Sequence, residues 1–535
     1  MRSLASLGTA ACLALLALAA LAPPARALTP AQATAIASGD NDSRIAALNA
    51  AVASGDARAA VLAQALLDGA VKVRGDDVYL VGADGRVVDA ASGAAVTVPD
   101  DADDATSNNR MRGALEAALA GARLVSSDVA VRRAAIAELT KSPLDESQLA
   151  LVEKALAAET DGALRSGLER MRATILVTSS DRTKRLAAVA ELARSSRSAV
   201  AGLLQERLGD GGESDAEVRA ALQQALGAVR GRLAWGERLA VFFTGISLGS
   251  VLLLVALGLA ITYGLMGVIN MAHGELMMIG AYTTYVVQNV FRSVWPGAFD
   301  AYVIAAIPAA FLVSAAVGAL LERGVIRFLY GRPLETLLAT WGISLVLQQA
   351  VRSIFGAQNV AVENPSWLSG GVEVMSNVVL PFNRIAIIAF AAIVLAAVAV
   401  LIARTRFGLF VRGVTQNRRM ASCVGVDTRK VDLLAFSFGA GIAGLGGVAL
   451  SQIGNVGPDL GQGYIVDSFL VVVVGGVGQL AGTVAAGLGL GVLNKLLEGV
   501  AGAVLAKIAV LVLIVVFIQK KPSGLFALKG RSAEA

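Results

Sequence analysis

Eight long apolar runs fill the second half of the chain, and they constrain its fold more than any other feature. An α-helix needs about 20 apolar residues to cross a bilayer. Of the 41 Asp and Glu residues, only 11 lie between Ala240 and Gln519, so the two halves of the chain are suited to different solvents. The sequence therefore predicts an all-α fold, with a polytopic membrane domain after a soluble helical one. The runs lie at about 240–262, 264–290, 301–321, 334–353, 383–403, 432–453, 466–498 and 503–519.

The run at 466–498 is too long for one comfortable span. Gly475-Gly476-Val-Gly478 interrupts it, which predicts two short helices or a re-entrant hairpin. The loop 404–430 carries seven Arg and Lys against one acid, Asp427, so we expect it to be cytoplasmic. The basic tail 521–535 reaches the same side only if 466–498 crosses twice or returns. We predict eight or nine spans, with the soluble domain outside the bacterial inner membrane and the C-terminus in the cytoplasm.

The first 27 residues have the features of a secretory signal peptide. Arg2 precedes an apolar stretch from Leu4 to Leu21, and Ala25-Arg26-Ala27 fits the small-x-small cleavage rule. A retained anchor helix is the alternative. Of the two cysteines, Cys12 lies in this segment and Cys423 remains, so no disulfide framework is predicted after cleavage.

Residues 28–235 are Ala-rich with regularly spaced charges, which is typical of short amphipathic helices. Four similar segments predict stacked helix pairs of the HEAT type, although their irregular spacing leaves an ordinary Ala-rich bundle open. Asp84-Gly85 between two apolar stretches predicts one β-hairpin, and the acidic stretch 99–109 predicts a solvated loop. The similar segments begin at Asp42, Val131, Arg185 and Val218.

The composition argues against an enzyme. His273 is the single histidine, so no Ser-His-Asp or Cys-His set is available, and we predict no catalytic residue. The acidic stretch lacks the order of an EF-hand loop, and we predict no metal site. No G-x-x-x-x-G-K-[ST] sequence occurs, so the chain is not an ATPase.

Polar residues within the apolar runs are the candidate functional residues. Asn270, His273 and Glu275 lie where the first two spans meet, and such groups at membrane depth are costly unless they face protein or water. They predict a translocation pathway or the hinge of an interrupted helix, with a structural hydrogen-bond clamp as the alternative.

A polar stripe runs along the fourth apolar segment. Thr336, Thr340 and Ser344 share one helical face, and Gln348 lies one turn further on. These residues suit either a pathway or packing against a partner subunit. The glycines between 439 and 491 predict close helix packing.

Several segments resemble the branched-chain amino-acid permeases of ABC transporters. They are 247–260, 262–275, 407–414, 438–448 and 521–526. Within that family, the segments 331–344, 416–422, 453–468 and 526–531 resemble the urea permease of the B type. A signal peptide followed by a long exported domain is also expected of that subgroup.

The resemblance implies that residues 240–520 form the permease domain of an ATP-driven importer. The expected partners are a second homologous permease, two cytoplasmic ATPases that use the ATP, and an exported binding protein, while this chain holds no cofactor of its own. Urea is the expected substrate. Branched-chain amino acids or another small amide, or a channel or sensor gated by the exported domain, are the alternatives. The expected ATPase-coupling residues, in a loop that could also serve only to orient the helices, are Arg412, Gln416, Asn417, Arg418, Arg419 and Gly425.

Overall fold

The computed structural model describes residues 28–54, 57–82, 85–99, 101–140, 146–209, 211–522 and 524–526. The chain divides into two compact units, Met1–Arg232 and Leu233–Ala535. The predicted signal peptide, Asp84 of the predicted turn and the tail from residue 527 lie outside the described residues. The fold is mostly helical, but it contains more strands than the predicted single hairpin.

Short helices make up most of the described part of the first unit. Asp128, Asp161 and Asp181 each accept a backbone N–H in the first turn of the helix that follows, which satisfies donors that would otherwise be unpaired. The helices are α1 (Pro30–Ala37), α2 (Asn41–Ser54), α3 (Ala57–Leu67), α4 (Asn109–Arg123), α5 (Val129–Leu139), α6 (Leu149–Ala158), α7 (Gly162–Leu176), α8 (Arg182–Leu192) and α9 (Ser198–Leu208). Helix α10 (Ala216–Met266) begins in this unit and ends in the second.

A four-stranded antiparallel sheet lies between α3 and α4. Its strands are β1 (Val71–Arg74), β2 (Asp77–Val81), β3 (Val87–Asp89) and β4 (Asp103–Asp104), in the order β3-β2-β1-β4. The pairing of β2 with β3 confirms the predicted hairpin. The prediction that 99–109 is only a loop was wrong, because β4 pairs with β1. Lys72 lies 3.0 Å from Asp104, so the basic strand attracts the acidic one.

The first unit contains an internal repeat. The Arg132 guanidinium, on α5, donates to the carbonyls of Ser126 and Ser127 and pairs with Glu159 at 2.8 Å. On α8 the Arg185 guanidinium donates to the carbonyls of Ser179 and Ser180 and pairs with Glu213 at 2.9 Å. The three helices α5, α6 and α7 therefore correspond to α8, α9 and the start of α10. The similar segments at Val131 and Arg185 occupy equivalent places, whereas that at Val218 corresponds to α7.

The described part of the second unit consists of helices, most of them long, and one β-hairpin. The hairpin is formed by β5 (Gly371–Met375) and β6 (Val378–Pro381). After α10, the helices are α11 (His273–Val294), α12 (Tyr302–Gly324), α13 (Pro333–Phe355), α14 (Phe382–Arg404), α15 (Arg406–Gln416), α16 (Arg418–Cys423), α17 (Thr428–Ser451), α18 (Leu460–Gly475), α19 (Leu480–Ala501) and α20 (Ala503–Lys520).

Among the described residues, six helices are long and apolar enough to cross a membrane. They are α10, α12, α14, α17, α19 and α20. Helices α11 and α13 are not among these six, and α18 has only 16 residues. The count of eight or nine spans therefore stays a prediction.

The predicted interruption of the apolar run 466–498 is confirmed. Helix α18 ends at Gly475, and α19 begins at Leu480. Between them, Gly476 has φ 99° and Gly478 has φ 77°, a backbone region that favours glycine.

Helix α17 lies at the centre of the second unit and packs through its glycines. A Cβ on Gly439 would lie 2.7 Å from the carbonyl oxygen of Gly258 on α10. A Cβ on Gly444 would lie 2.8 Å from the carbonyl oxygen of Ala310 on α12, and one on Gly447 would overlap the carbonyl oxygen of Met277 on α11. The predicted close packing at these glycines is confirmed.

Candidate functional site

The candidate site begins at the turn between α10 and α11. Helix α10 ends at Met266, and Gly267 follows with φ 64°, so the chain can reverse before α11 starts at His273. The Asn270 side-chain oxygen accepts the N–H of Ala272 at 3.0 Å and holds the turn. Asn270, His273 and Glu275 are all buried. These three residues therefore lie at or beside the turn between two helices, and their role as a hinge or pathway stays a prediction.

Glu275 is the most unusual group in this turn, because it is a buried carboxyl bound by neutral side chains. Its Oε1 accepts hydrogen bonds from Ser344 Oγ at 2.9 Å and from Gln348 Nε2 at 2.8 Å. Its other oxygen, Oε2, is buried and has no hydrogen-bond partner among the described residues. A buried acceptor without a partner is costly, so this oxygen is available to a water molecule or a ligand.

The polar stripe of α13 forms the other wall of the site. Thr336, Thr340, Ser344 and Gln348 all lie on its buried face. The Met271 N–H donates to Thr340 Oγ at 3.2 Å, so α13 contacts the turn as well as the carboxyl. Thr336 is further away, and its hydroxyl donates to the backbone carbonyl of Arg332. The opposite face of α13 is apolar and exposed at Leu334, Leu338 and Val346.

His273 points away from the Glu275 carboxyl. Its Nε2 lies 3.2 Å from the carbonyl oxygen of Val255 on α10, while Nδ1 has no partner in the described part of the chain. The ring fills space next to Gly258, where a Cβ would lie 3.2 Å from it. His273 and Glu275 are close in the sequence, but in the structure the imidazole contacts α10 and the carboxyl contacts α13.

The start of α18 contacts the same turn through glycine. A Cβ on Gly461 would lie 2.5 Å from the carbonyl oxygen of Gly274 and 2.8 Å from the nitrogen of Glu275. No side chain fits between the two backbones. The first turn of α11 is therefore held between α13 and α18.

The comparisons with known proteins match the second unit. A family model described as "Branched-chain amino acid transport system / permease component" covers residues 241–519. The chain belongs to this permease family. BraD of Pseudomonas aeruginosa, a high-affinity branched-chain amino acid transport system permease protein, is 29% identical over 287 residues, which is 52% of this chain and 93% of the relative. LivH of Escherichia coli K12, of the same description, is 29% identical over 289 residues, with 53% and 93% covered.

A more distant relative is a probable branched-chain amino acid transport permease protein, LivH of Methanocaldococcus jannaschii. It is 25% identical over 257 residues, which is 46% of this chain and 77% of the relative. No solved structure matches the chain. The permease is thus a multi-pass inner-membrane subunit of an ABC transport system, and its relatives are not enzymes. The family match begins at residue 241 and does not include the helices α1 to α9.

The expected coupling loop of the permease is formed by α15 and α16. The Asn417 side chain accepts the Met420 N–H at 2.9 Å and caps α16, and Gly425 has φ 90° in the turn that follows. Arg412 and Arg419 are exposed, and so is Gln416.

Arg418 differs from the other arginines of this loop. Its guanidinium pairs with Asp432, which is fully buried on α17. Asp432 is not among the residues predicted from the sequence, although a lone acid at the start of an apolar run is itself a signal of a buried partner.

A second polar network was also missed, at the end of α11 away from Glu275. Tyr302 on α12 donates to the carbonyl of Glu363 and accepts a hydrogen bond from the side-chain amide of Gln452, which lies just beyond α17. Gln288 accepts the Glu363 N–H at 2.9 Å. These bonds hold the loop between α13 and β5 against three helices. Their signal in the sequence is weak, because the partners are separated by 61 to 150 residues.

Proposed function

We propose that this permease is the membrane conduit of an ATP-driven importer for urea. The observation that supports it most is the meeting of two segments that resemble urea permeases. Segment 331–344 supplies Ser344, which donates to Glu275, and segment 453–468 supplies Gly461, which lies against Gly274. Both segments therefore converge on the first turn of α11, although they are more than 100 residues apart.

The chemistry of this turn supports a small neutral amide. Urea has four N–H donors and one carbonyl acceptor, so it needs oxygen atoms, hydroxyls and amides rather than a pair of charges. The turn offers the free oxygen of Glu275 with the side chains of Ser344 and Gln348 beside it. An amino acid would also need a cation for its carboxylate, and no Lys or Arg is bonded to Glu275 within the described residues.

The permease works with a second homologous permease, two cytoplasmic ATPases that hydrolyse the ATP, and an exported substrate-binding protein. The loop formed by α15 and α16 is the surface for the ATPases, because it exposes both apolar and basic groups. Leu409, Met420 and Val424 are exposed apolar residues, and Arg412 and Arg419 are the adjacent cations. This composition suits a loop that enters a cleft on another protein.

The chain crosses the membrane eight or nine times, with residues 28–235 outside and the C-terminus in the cytoplasm. The basic loop 404–430 and the break at Gly476 support this topology, as does the signal peptide predicted at 1–27. Alkaline phosphatase fused near residue 200 should be active, and the same fusion at residue 415 should be silent. The reverse pattern would contradict the topology.

Branched-chain amino acids are the second candidate substrate, because the relatives' names describe transport of these compounds. Uptake of labelled urea and labelled leucine decides between the two. The assay uses a strain that lacks the permease gene and carries it back on a plasmid. We expect the plasmid to restore urea uptake and leave leucine uptake unchanged. Restored leucine uptake without urea uptake would reject the urea proposal.

Glu275→Gln tests the site in the same strain. The substitution keeps the shape of the side chain and one acceptor oxygen, but it replaces the other oxygen with a donor. We expect urea uptake to fall while membrane expression stays unchanged. Glu335→Gln is the matched control, since Glu335 is an exposed carboxyl on the first turn of α13. Equal uptake by the Glu275→Gln variant and the control would remove Glu275 from the pathway.

A further inference from the structure

The Arg418–Asp432 pair joins the loop to the core of the second unit. Asp432 lies just past the start of α17 and has no exposed surface, whereas the Arg418 side chain is 42% exposed. The guanidinium approaches both carboxylate oxygens, with 3.2 Å between Arg418 Nη1 and Asp432 Oδ1. Such a bidentate pair fixes the orientation of the guanidinium as well as its distance from the carboxylate.

Tyr330 extends this pair toward the other helices. The Arg418 guanidinium lies over its ring, 5.4 Å from the centroid. The Tyr330 hydroxyl lies 3.1 Å from Glu322 Oε1 on α12 and 3.2 Å from Met266 Sδ at the end of α10, so either atom can accept its proton. Glu322 is buried as well. Four side chains, Glu322, Tyr330, Arg418 and Asp432, therefore form one connected group, which we call the coupling latch.

The coupling latch lies next to the turn that holds Glu275. Met266 is the last residue of α10, and Val268 in the turn packs with Ile326 and Phe436 in a small apolar cluster that also includes Tyr330. Asn270 and Glu275 follow within the next seven residues. The contacts are continuous from the exposed loop to the candidate site.

The energetics of the pair couple the motions of α16 and α17. If α16 moved away alone, it would leave the Asp432 carboxylate buried without a counter-charge, which is strongly unfavourable. Movement of both helices together keeps the pair intact and shifts Tyr330 with it. Tyr330 in turn contacts Met266, which borders the turn.

We propose that the coupling latch carries movement of the loop formed by α15 and α16 to the turn between α10 and α11. Arg418, Tyr330 and Asp432 are positioning residues, which act on the candidate site through Met266 and Val268. The inference rests on the proposed function, because it takes the ATPases as the partners that move the loop. It assigns Arg418 to contacts within the permease and leaves Arg412 and Arg419 to contact the ATPase.

The first test does not depend on the substrate or on the partners. Cys423, the last residue of α16, is an exposed free thiol and takes a nitroxide label in the full chain in nanodiscs, with Cys12→Ser in every variant. We expect Asp432→Asn and Arg418→Gln to make the label more mobile. Arg429→Gln, on the exposed first turn of α17, should leave it unchanged. A label as immobile in Asp432→Asn and Arg418→Gln as in the unsubstituted chain would overturn the proposal.

The exchanged pair, Arg418→Asp with Asp432→Arg, tests whether the attraction between the two opposite charges holds α16 in place. The two charges keep their partners, so the label should regain part of its immobility relative to the single substitutions. If the exchanged pair is as mobile as Asp432→Asn, the ion pair is not what holds α16.

The second test uses the assembled transporter in proteoliposomes, with the proposed second permease, ATPases and binding protein. In Tyr330→Phe the ring under Arg418 remains, but the hydroxyl contacts to Glu322 and Met266 are lost. We expect ATP hydrolysis to continue while urea taken up per ATP falls by an amount on the order of tenfold, a usual size for coupling between two sites. Unchanged uptake per ATP would overturn the proposal.

The two proposals fail in different ways. If the unsubstituted transporter takes up leucine and not urea, the urea proposal is wrong, and leucine per ATP then measures the coupling latch. Because Tyr330→Phe leaves Asp432 paired, it keeps the test valid even if Asp432→Asn does not fold.

Discussion

The buried carboxyl of Glu275 in the second unit differs from those of Glu159 and Glu213 in the first unit. In the first unit, Glu159 and Glu213 each meet an arginine, and the Glu159 carboxylate also accepts backbone N–H groups. In the second unit, Glu275 meets a hydroxyl and an amide, and one of its oxygens has no partner among the described residues. A buried charge that has both a counter-charge and hydrogen bonds is structural, whereas a carboxyl with a free oxygen can take part in function.

Helix packing also differs between the two units. The first unit has a core of leucines and alanines with ordinary side-chain contacts, such as Leu62, Leu115 and Leu168. The second unit brings backbones together through Gly439, Gly444 and Gly447. In lipid there is little gain from burying more apolar surface, so close backbone contact becomes the main source of association.

The largest effect is expected from a side chain placed between two of these backbones. Gly447→Val would put its Cβ onto the carbonyl oxygen of Met277, and neither helix can move without disturbing α10 and α12. We expect loss of folded protein in detergent size-exclusion chromatography. Gly489→Val is the control, because a Cβ there meets no atom within 4 Å. A folded Gly447→Val protein would show that α17 tolerates separation from α11.

The next effect concerns the pair of Arg132 and Glu159, one of the buried pairs of the first unit. Glu159→Ala leaves Arg132 without its counter-charge, and breaking such a pair destabilises a protein by about 3 kcal/mol. Hydrogen exchange of the full-length protein should show faster exchange across α5 and α7. Glu169→Ala is the control, since its pair with Arg165 is exposed and such pairs contribute less than about 1 kcal/mol. Similar exchange rates in both variants would show that the buried Arg132–Glu159 pair stabilises the first unit no more than an exposed pair does.

A smaller effect is expected from mild acid. The Arg132 guanidinium, with help from backbone N–H groups, lowers the pKa of Glu159 from the ordinary 4.5 to about 2. Its contribution to stability is therefore complete above pH 4.5 and is lost as the pH falls toward 2. Exchange across α5 and α7 should accelerate between pH 4.5 and 2, after correction for the intrinsic rate. Hydrogen exchange in the Glu159→Gln variant should depend less on pH over this range. An equal pH dependence in this variant and in the unsubstituted protein would assign the acid sensitivity to another group.

The smallest effect concerns the bonds of Glu275. Hydrogen bonds between membrane helices contribute about 0.6 kcal/mol on average in double-mutant cycles. A cycle with Glu275→Gln and Ser344→Ala, read by thermal unfolding in detergent, should give a coupling of that size. A coupling of several kcal/mol would make the Glu275 contact a structural clamp, like the pair of Arg132 and Glu159, and would weaken its role in a pathway.

Local patterns allowed much of the second unit to be predicted. The apolar runs became helices, and Gly476 and Gly478 interrupted the longest one because their backbone angles suit glycine. The helical period alone placed Thr336, Thr340, Ser344 and Gln348 on one face. In the first unit, the hairpin of β2 and β3 followed from its turn, but β4 did not, because its pairing depends on Lys72, about 30 residues earlier in the chain.

The sequence by itself determined which segments are helical, where they break and which faces are polar, since these properties depend on neighbours within a few turns. Only the tertiary structure decided which polar groups meet. Ser344 reaches Glu275 across 69 residues, and Arg418, although its side chain is still partly exposed, pairs with the buried Asp432. The physical reason is that a buried charge or acceptor selects its partner by position in space, and the helix packing that sets those positions is a property of the whole unit.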